Sequence, residues 1–218
     1  MILSRGRKYL FIHAPKTGGT SMALALEARA MKDDIMLGDT PKARQRRKKL
    51  VDVQAAGRLW KHSTLAELDG LVTLEELDDL FIFTMVRNPW DRMVSYYYWL
   101  RAQSFDHPIV ELAKERTFEA FVAEPLIAQS FSRATAASYV TDAQGVEREC
   151  LFIRLEHLAQ DLAPLEAHLG FALDIPHVNR SMRAGHYRDA YRDDARAQVA
   201  DYCAADIARF GYRFEGDA

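Results

Sequence analysis

Two short stretches of this sequence gather residue types that bind phosphate-like anions. The first is His13-Ala14-Pro15-Lys16-Thr17-Gly18-Gly19-Thr20-Ser21. Paired glycines let backbone amides close on an anion, and a helix starting just behind them adds unpaired N–H donors and a partial positive charge. Thr17, Thr20 and Ser21 add hydroxyls, and Lys16 adds a cation able to reach a bridging oxygen. The order differs from a nucleotide triphosphatase loop, Gly-x-x-x-x-Gly-Lys-Ser/Thr, in which lysine follows the glycines; here Lys16 precedes Gly18 and Gly19. The second stretch runs Arg87-Asn88-Pro89-Trp90-Asp91-Arg92-Met93-Val94-Ser95-Tyr96-Tyr97-Tyr98-Trp99-Leu100-Arg101. Ser95 lies about two helical turns beyond Arg87. A sharp turn at Pro89 lets both face one phosphate, the arginine through its forked donors. Asp91 and Arg92 offer a local ion pair, and Tyr96 to Trp99 read mainly as packing surface.

These residues need elements to hold them. Tyr9-Leu10-Phe11-Ile12 is a buried-strand pattern closed by Pro15 and the glycines. Thr20 or Ser21 can cap a helix through Met22 to Ala28, built mostly of strong helix formers. Phe81 to Val86 reads as a second strand, stopped at Pro89, which can open a helix from about Trp90 to Arg101. Cys150 to Arg154 reads as a third strand, followed by a helix from about His157 to Leu169. Short helical pieces are expected at Thr64–Leu68 and Leu74–Leu80, and a closing helix from Arg192 to Phe210. Residues 108–140 look helical and irregular by turns, and Pro176 to His186 loop-like. Strands alternating with helices predict an α/β, P-loop-like three-layer fold, a central mostly parallel sheet flanked by helices. Ligands of such sheets sit beyond the carboxyl ends of the strands, where both loops belong.

Size and composition narrow the setting. The 218 residues suit one domain, 1–218, with a sizeable core. Net charge is −2, so the whole chain is no electrostatic partner for nucleic acid, and any anion site is local. Cys150 and Cys203 stand far apart, outside metal-type spacing, and read as free thiols with no metal site. No apolar run approaches the roughly 20 residues of a membrane span. The apolar stretch Tyr9–Ile12 is too short for a signal-peptide core, so the default expectation is a cytoplasmic protein. Oligomeric state has no signature in the sequence. A basic cluster, Lys42, Arg44, Arg46, Arg47, Lys48 and Lys49, reads as a solvated helix face or as a contact surface for an acidic acceptor.

Taken together, the two motifs resemble the sulfotransferases that modify heparan and chondroitin chains, especially the uronyl 2-O-sulfotransferase branch. The first loop is similar to that family's 5'-phosphosulfate loop, Pro-Lys-Thr-x-x-Thr-Ser. The second is similar to its 3'-phosphate motif, Arg-x-Pro-x-x-Arg-x-Val-Ser-Tyr-Tyr-Tyr. Weaker likenesses are Phe152 to Leu158, Val178-Asn179-Arg180-Ser181, and Phe210-Gly211-Tyr212-Arg213-Phe214. The resemblance implies a sulfotransferase using 3'-phosphoadenosine 5'-phosphosulfate (PAPS) and no metal, acting on an acceptor hydroxyl, with a carbohydrate the expected acceptor. By position, Lys16, Thr17, Gly18, Gly19, Thr20 and Ser21 would hold the 5'-phosphosulfate and Arg87 and Ser95 the 3'-phosphate. Asn179, Arg180 and Ser181 would close over the donor.

Sulfuryl transfer to a hydroxyl needs a proton acceptor and charge neutralisation at the leaving phosphate. Lys16 is assigned the second role. Among seven histidines, His62 is assigned the first. Its segment, Trp60-Lys61-His62-Ser63-Thr64-Leu65, is similar to the family's Gly-His-Val-Ser-Phe-Leu stretch, which carries the base. His13 is the runner-up. A nucleotide kinase is the first rival reading, against which the position of Lys16 speaks. A non-catalytic nucleotide-binding module is the second.

Overall fold

The computed structural model describes residues 1–50, 52–176, 178 and 185–216, with the side chain of Lys49 left aside. The chain forms two compact units, Met1–Val86 with Ala136–Asn179, and Arg87–Thr135 with Arg180–Ala218.

The first unit carries five strands, β1 (Ile2–Ser4), β2 (Tyr9–Ile12), β3 (Ile35–Met36), β4 (Phe81–Val86) and β5 (Leu151–Arg154). They form one sheet in the order β3-β1-β2-β4-β5. The central pairs β2/β4 and β4/β5 are parallel, with Ile12 opposite Thr84 and Val86 opposite Arg154. The outer pairs β1/β2 and β1/β3 are antiparallel. Sequence patterning finds β2, β4 and β5 but misses β1 and β3. Those two are three and two residues long, too short to show a period of two.

Alternation along the strands explains the core. Tyr9, Phe11, Phe83, Met85 and Ile153 share one cluster with Met22, Ala23 and Leu26 of the helix Gly19–Ala28 and Leu165 and Leu169 of the helix Ala163–Leu169. Phe11 and Phe83 stack at 5.1 Å. Leu10, Ile12 and Ile82, which point the other way, are also buried. A sheet buried on both faces reads as continuous apolar runs, which is what β2 and β4 show. Each fully buried side chain of this size contributes about 1.5–3 kcal/mol. The α/β class with a mostly parallel centre is therefore as expected.

Helix boundaries depart from the sequence reading in four places. The first helix begins at Gly19 behind the N-cap Gly18, so Thr20 and Ser21 lie within it and neither caps it. The stretch expected as one helix from His157 to Leu169 is a 3-10 turn Leu155–His157 and helices Leu158–Asp161 and Ala163–Leu169. Pro164, lacking an N–H, opens the last piece rather than continuing the first. The expected piece Thr64–Leu68 is a single 3-10 turn, Ala66–Leu68. The closing helix divides into Asp193–Tyr202 and Ala204–Phe210, with Cys203 outside helical geometry.

In the second unit, the helix Pro89–Arg101 is capped by Asn88, whose side-chain oxygen accepts from Trp90 and Asp91 amides. Proline at the first helical position needs no N–H partner, so the Asn-Pro pair fixes where this helix begins. Tyr97 packs on Phe118 and Phe121 and donates its hydroxyl to the Arg116 carbonyl at 2.8 Å. Tyr98 and Trp99 are exposed at 37% and 38%, so only part of the aromatic run is packing surface. Between Pro108 and Arg133 lie the helices Pro108–Glu115, Phe118–Val122 and Pro125–Arg133.

Candidate active site

The loop from His13 to Gly18 joins β2 to the helix Gly19–Ala28. Lys16 and Gly18 hold φ of 67° and 90°, and the helix N-cap Gly18 makes no side-chain cap. A lysine in the left-handed region is uncommon outside functional turns. It bends the backbone so that the loop returns over the start of the helix. The Thr17 hydroxyl donates to the Ala14 carbonyl at 2.8 Å, and Thr17 is buried. Its side chain thus closes the loop from inside.

The two glycines have different reasons. A Cβ at Gly18 would need the left-handed region and would meet Leu155 Cδ1 at 2.9 Å and Met85 at 3.3 Å. A Cβ at Gly19 would meet the His13 ring, Cδ2 at 2.1 Å and Nε2 at 2.4 Å. The bare Cα thus makes room for an imidazole above the first helical turn. Thr20 and Ser21 are half-buried in that turn, and the Ser21 hydroxyl accepts from the Val178 amide at 3.5 Å.

His62 is brought to this loop. Its Nδ1 lies 2.7 Å from the His13 carbonyl oxygen. A carbonyl only accepts, so Nδ1 carries the proton and Nε2 is left as the ring's acceptor. The His62 and His13 rings meet edge to face at 4.7 Å, and His13 stacks on Phe11 at 5.7 Å. Burial is the main cause that lowers His62 to a pKa of about 4, against the opposing effect of its bond to the His13 carbonyl. Burial also pushes His13 well below the usual range. Both rings are neutral at pH 7. Both runner-up and first-choice base are therefore at one place, but His13 is 6% exposed with its ring against Gly19, while His62 is half-buried.

Arg87, the first residue after β4, pairs with Asp91 at 2.7 Å through Nη2 and 2.8 Å through Nε. The two side chains are 12% and 14% exposed. The ion pair expected between Asp91 and Arg92 does not form. Neighbours on a helix diverge, whereas positions four apart meet, so Asp91 takes Arg87. Arg92 instead donates to the Ala134 carbonyl at 3.1 Å and lies over Phe131. Ser95 is buried on the same helix, 6% exposed. Asn88, which the sequence reading passes over, donates through Nδ2 to the Arg213 carbonyl at 3.0 Å. The Asn-Pro spacing is the signal that marks it as a cap.

The basic cluster divides. Lys42 donates to the Glu27 carbonyl, and Arg46 to the carbonyls of Met31 and Asp34 at 2.7 and 3.1 Å. These two fasten the helix Pro41–Arg46, while Arg44, Arg47 and Lys48 are exposed. Asn179, Arg180 and Ser181 lie outside the described residues. Among the described residues, no group of three or more His, Cys, Asp or Glu side chains is placed to hold a metal ion, and neither Cys150 nor Cys203 is in a disulfide. No described helix is long and apolar enough to cross a membrane.

A strand, a glycine loop with a lysine on it and a helix in direct succession define an α/β protein with the elements of an anion-binding loop. The sequence profile of the sulfotransferase family matches residues 1–163, and the chain belongs to that family. By that membership it is an enzyme of the PAPS-dependent sulfotransferase class, as the two motifs lead one to expect. No curated protein sequence gives a significant match. Among solved structures, the crystal structure of mouse sulfotransferase SULT7A1 complexed with PAP aligns with 94% of this chain and 67% of that one, at 16% identity and a TM-score of 0.38.

Proposed function

We propose that this enzyme moves the sulfuryl group of PAPS to a carbohydrate hydroxyl, with His62 as base and Lys16 at the leaving oxygen. The observation that carries the reading is the hydrogen bond from His62 to the His13 carbonyl at the mouth of the glycine loop. It holds the imidazole in the tautomer that leaves Nε2 able to take a proton. Support for the donor at this loop comes from its backbone: Lys16 and Gly18 turn through positive φ, and the helix start offers amides to the 5'-phosphosulfate. Lys16 and the amides of Thr17 to Ser21 hold that group, with the Thr20 and Ser21 hydroxyls beside them. Arg87 and Ser95 hold the 3'-phosphate, and the Asp91 carboxylate orients the guanidinium fork.

In the reaction the acceptor oxygen forms a bond to sulfur while the bond from sulfur to the bridging 5'-phosphate oxygen breaks. The acceptor proton passes to His62 Nε2. The ammonium of Lys16 neutralises the charge growing on the leaving phosphate, the kind of stabilisation that dominates related phosphoryl transfers. A bound donor brings several negative charges, which raise the His62 pKa from its nucleotide-free value and strengthen it as a base. His62→Ala is expected to lower turnover by about 10²–10⁴-fold while 3'-phosphoadenosine 5'-phosphate still binds in calorimetry. Near-normal turnover in that variant would remove His62 from the mechanism. Lys16→Ala and Arg87→Ala are each expected to weaken the nucleotide. Magnesium-dependent ATP consumption in place of sulfuryl transfer would favour the kinase alternative.

A further inference from the structure

His13 is the one described histidine that is buried. Its ring lies against the start of the helix Gly19–Ala28. A Cβ on Gly19 would sit 2.1 Å from His13 Cδ2, 2.4 Å from Nε2 and 2.9 Å from Cγ, so the Cδ2–Nε2 edge faces the helix. Helical Cα–Cβ bonds lean toward the N-terminus. The imidazole edge therefore fills the space beside the free end of the helix, where an anion finds amide donors. The ring also stacks on Phe11 at 5.7 Å and meets the His62 ring edge to face at 4.7 Å. Among the described residues, neither ring nitrogen of His13 makes a hydrogen bond; His62 uses its backbone carbonyl. By contrast, His62, His107, His168 and His186 each engage a ring nitrogen. Buried polar groups are nearly always hydrogen-bonded, and a phenyl ring would stack on Phe11 as well. An imidazole left without a partner beside a helix N-terminus calls for an anion that accepts from it.

We infer that His13, through Nε2–H, is a ligand of the transferring sulfonate, so that this ring distinguishes the charged donor from the spent nucleotide. The inference rests on the reading of the glycine loop as the donor site and of His62 as the base. Base and sulfur must be neighbours, because the acceptor oxygen that gives its proton to His62 is the one that attacks sulfur. His13 lies both beside His62 and against the helix start, so the part of the 5'-phosphosulfate it meets is the outer, sulfonate end. The phosphate end is one bond further from the base and falls to the amides and Lys16. The positive end of the helix disfavours an imidazolium and keeps the ring a neutral donor, and burial acts in the same direction. With its proton on Nε2, the ring holds a sulfonate oxygen without competing with His62 for the proton of the acceptor.

The test compares PAPS with 3'-phosphoadenosine 5'-phosphate, which lacks only the sulfonate, by calorimetry on the full chain without acceptor. In His13→Met, which keeps bulk but loses the N–H, PAPS should bind about ten- to hundredfold more weakly, the worth of a hydrogen bond to a charged group, and the bisphosphate within about twofold of the natural chain. His13→Gln, whose amide can donate from near the Nε2 position, should recover most of the loss. In the natural chain with histidine rings labelled at nitrogen, one imidazole N–H proton, assigned by its absence in His13→Gln, should become protected and shift with PAPS but not with the bisphosphate. Equal weakening of both nucleotides, an unchanged PAPS affinity in His13→Met, or the absence of that proton overturns the proposal. Should His13→Met fail to fold, the ring proton of the natural chain decides. His62→Ala should keep the natural ratio of the two affinities while losing transfer. A natural chain that binds neither nucleotide refutes the donor reading itself; one that binds both, in a ratio indifferent to position 13, refutes this inference alone.

Discussion

Gly19 offers the most direct test of how this loop is built. Alanine there puts a methyl carbon 2.1 Å from His13 Cδ2 and 2.4 Å from Nε2, well inside contact distance. The imidazole has nowhere easy to go. His13 is 6% exposed, its ring stacks on Phe11, and its other side meets His62. Overpacking of this kind costs about 1–3 kcal/mol. In a His13→Ala background the obstacle is gone. Alanine at position 19 then enters vacated space on the first turn of a helix, where it exceeds glycine by about 0.5–1 kcal/mol. Gly19→Ala should therefore destabilise the natural chain and be neutral or stabilising in the double variant. Urea unfolding of the four proteins, followed by tryptophan fluorescence, should give a coupling of at least about 1 kcal/mol between positions 13 and 19. Additivity within about 0.5 kcal/mol would refute the packing argument. The second glycine would then have no steric reason to be one.

Other outcomes follow from the same contacts. In the nucleotide-free protein the His62 ring should titrate near its lowered pKa of about 4, and nitrogen chemical shifts should report the proton on Nδ1; a midpoint near 6.5 would contradict its burial. Because this pKa is lower folded than unfolded, the linked stability is complete above about pH 6.5. It is lost as pH falls from there through about 4, a change on the order of 3 kcal/mol, with His13 acting in the same direction. Urea titrations across that window should show the loss, reduced in His62→Asn. Asp91→Asn should weaken nucleotide binding in calorimetry by loosening the Arg87 fork, and an unchanged affinity would make the pair purely structural. Arg46→Ala should destabilise by about 1–3 kcal/mol, since two charge-assisted bonds to backbone carbonyls go. Arg47→Glu, on an exposed side chain, should stay within about 0.5 kcal/mol in the same unfolding assay.

The parts of this molecule legible in the sequence are those set by local chemistry. The β2 loop, the β4 strand and the Asn88-Pro89 helix start all carry their signals within a few residues. What escapes is whatever depends on residues distant in the chain. Ile2 to Ser4 becomes a strand only because β2 lies beside it. Arg46 looks like surface charge until the carbonyls of Met31 and Asp34 are seen to face it. Asp91 beside Arg92 looks like an ion pair until helix geometry hands the carboxylate to Arg87. Likewise, Thr17 reads as a ligand hydroxyl until its burial turns it inward to Ala14. His62 is reachable only through family likeness, because nothing local announces that its Nδ1 meets the carbonyl of His13.

The parallel pairing of β2 with β4 also governs when this enzyme becomes competent during synthesis. The Thr84 hydroxyl donates to the Ile12 carbonyl across 72 residues. Closing so long a stretch of chain before any contact rewards it is entropically slow. A nascent chain that has emerged only through the glycine loop owns every residue of the cradle and yet lacks the neighbouring strand that flattens β2 into shape. Donor affinity should thus arise late, only after Phe81 to Val86, with Arg87 and Ser95 behind it, has left the ribosome, so that products truncated before that strand stay inert toward the nucleotide.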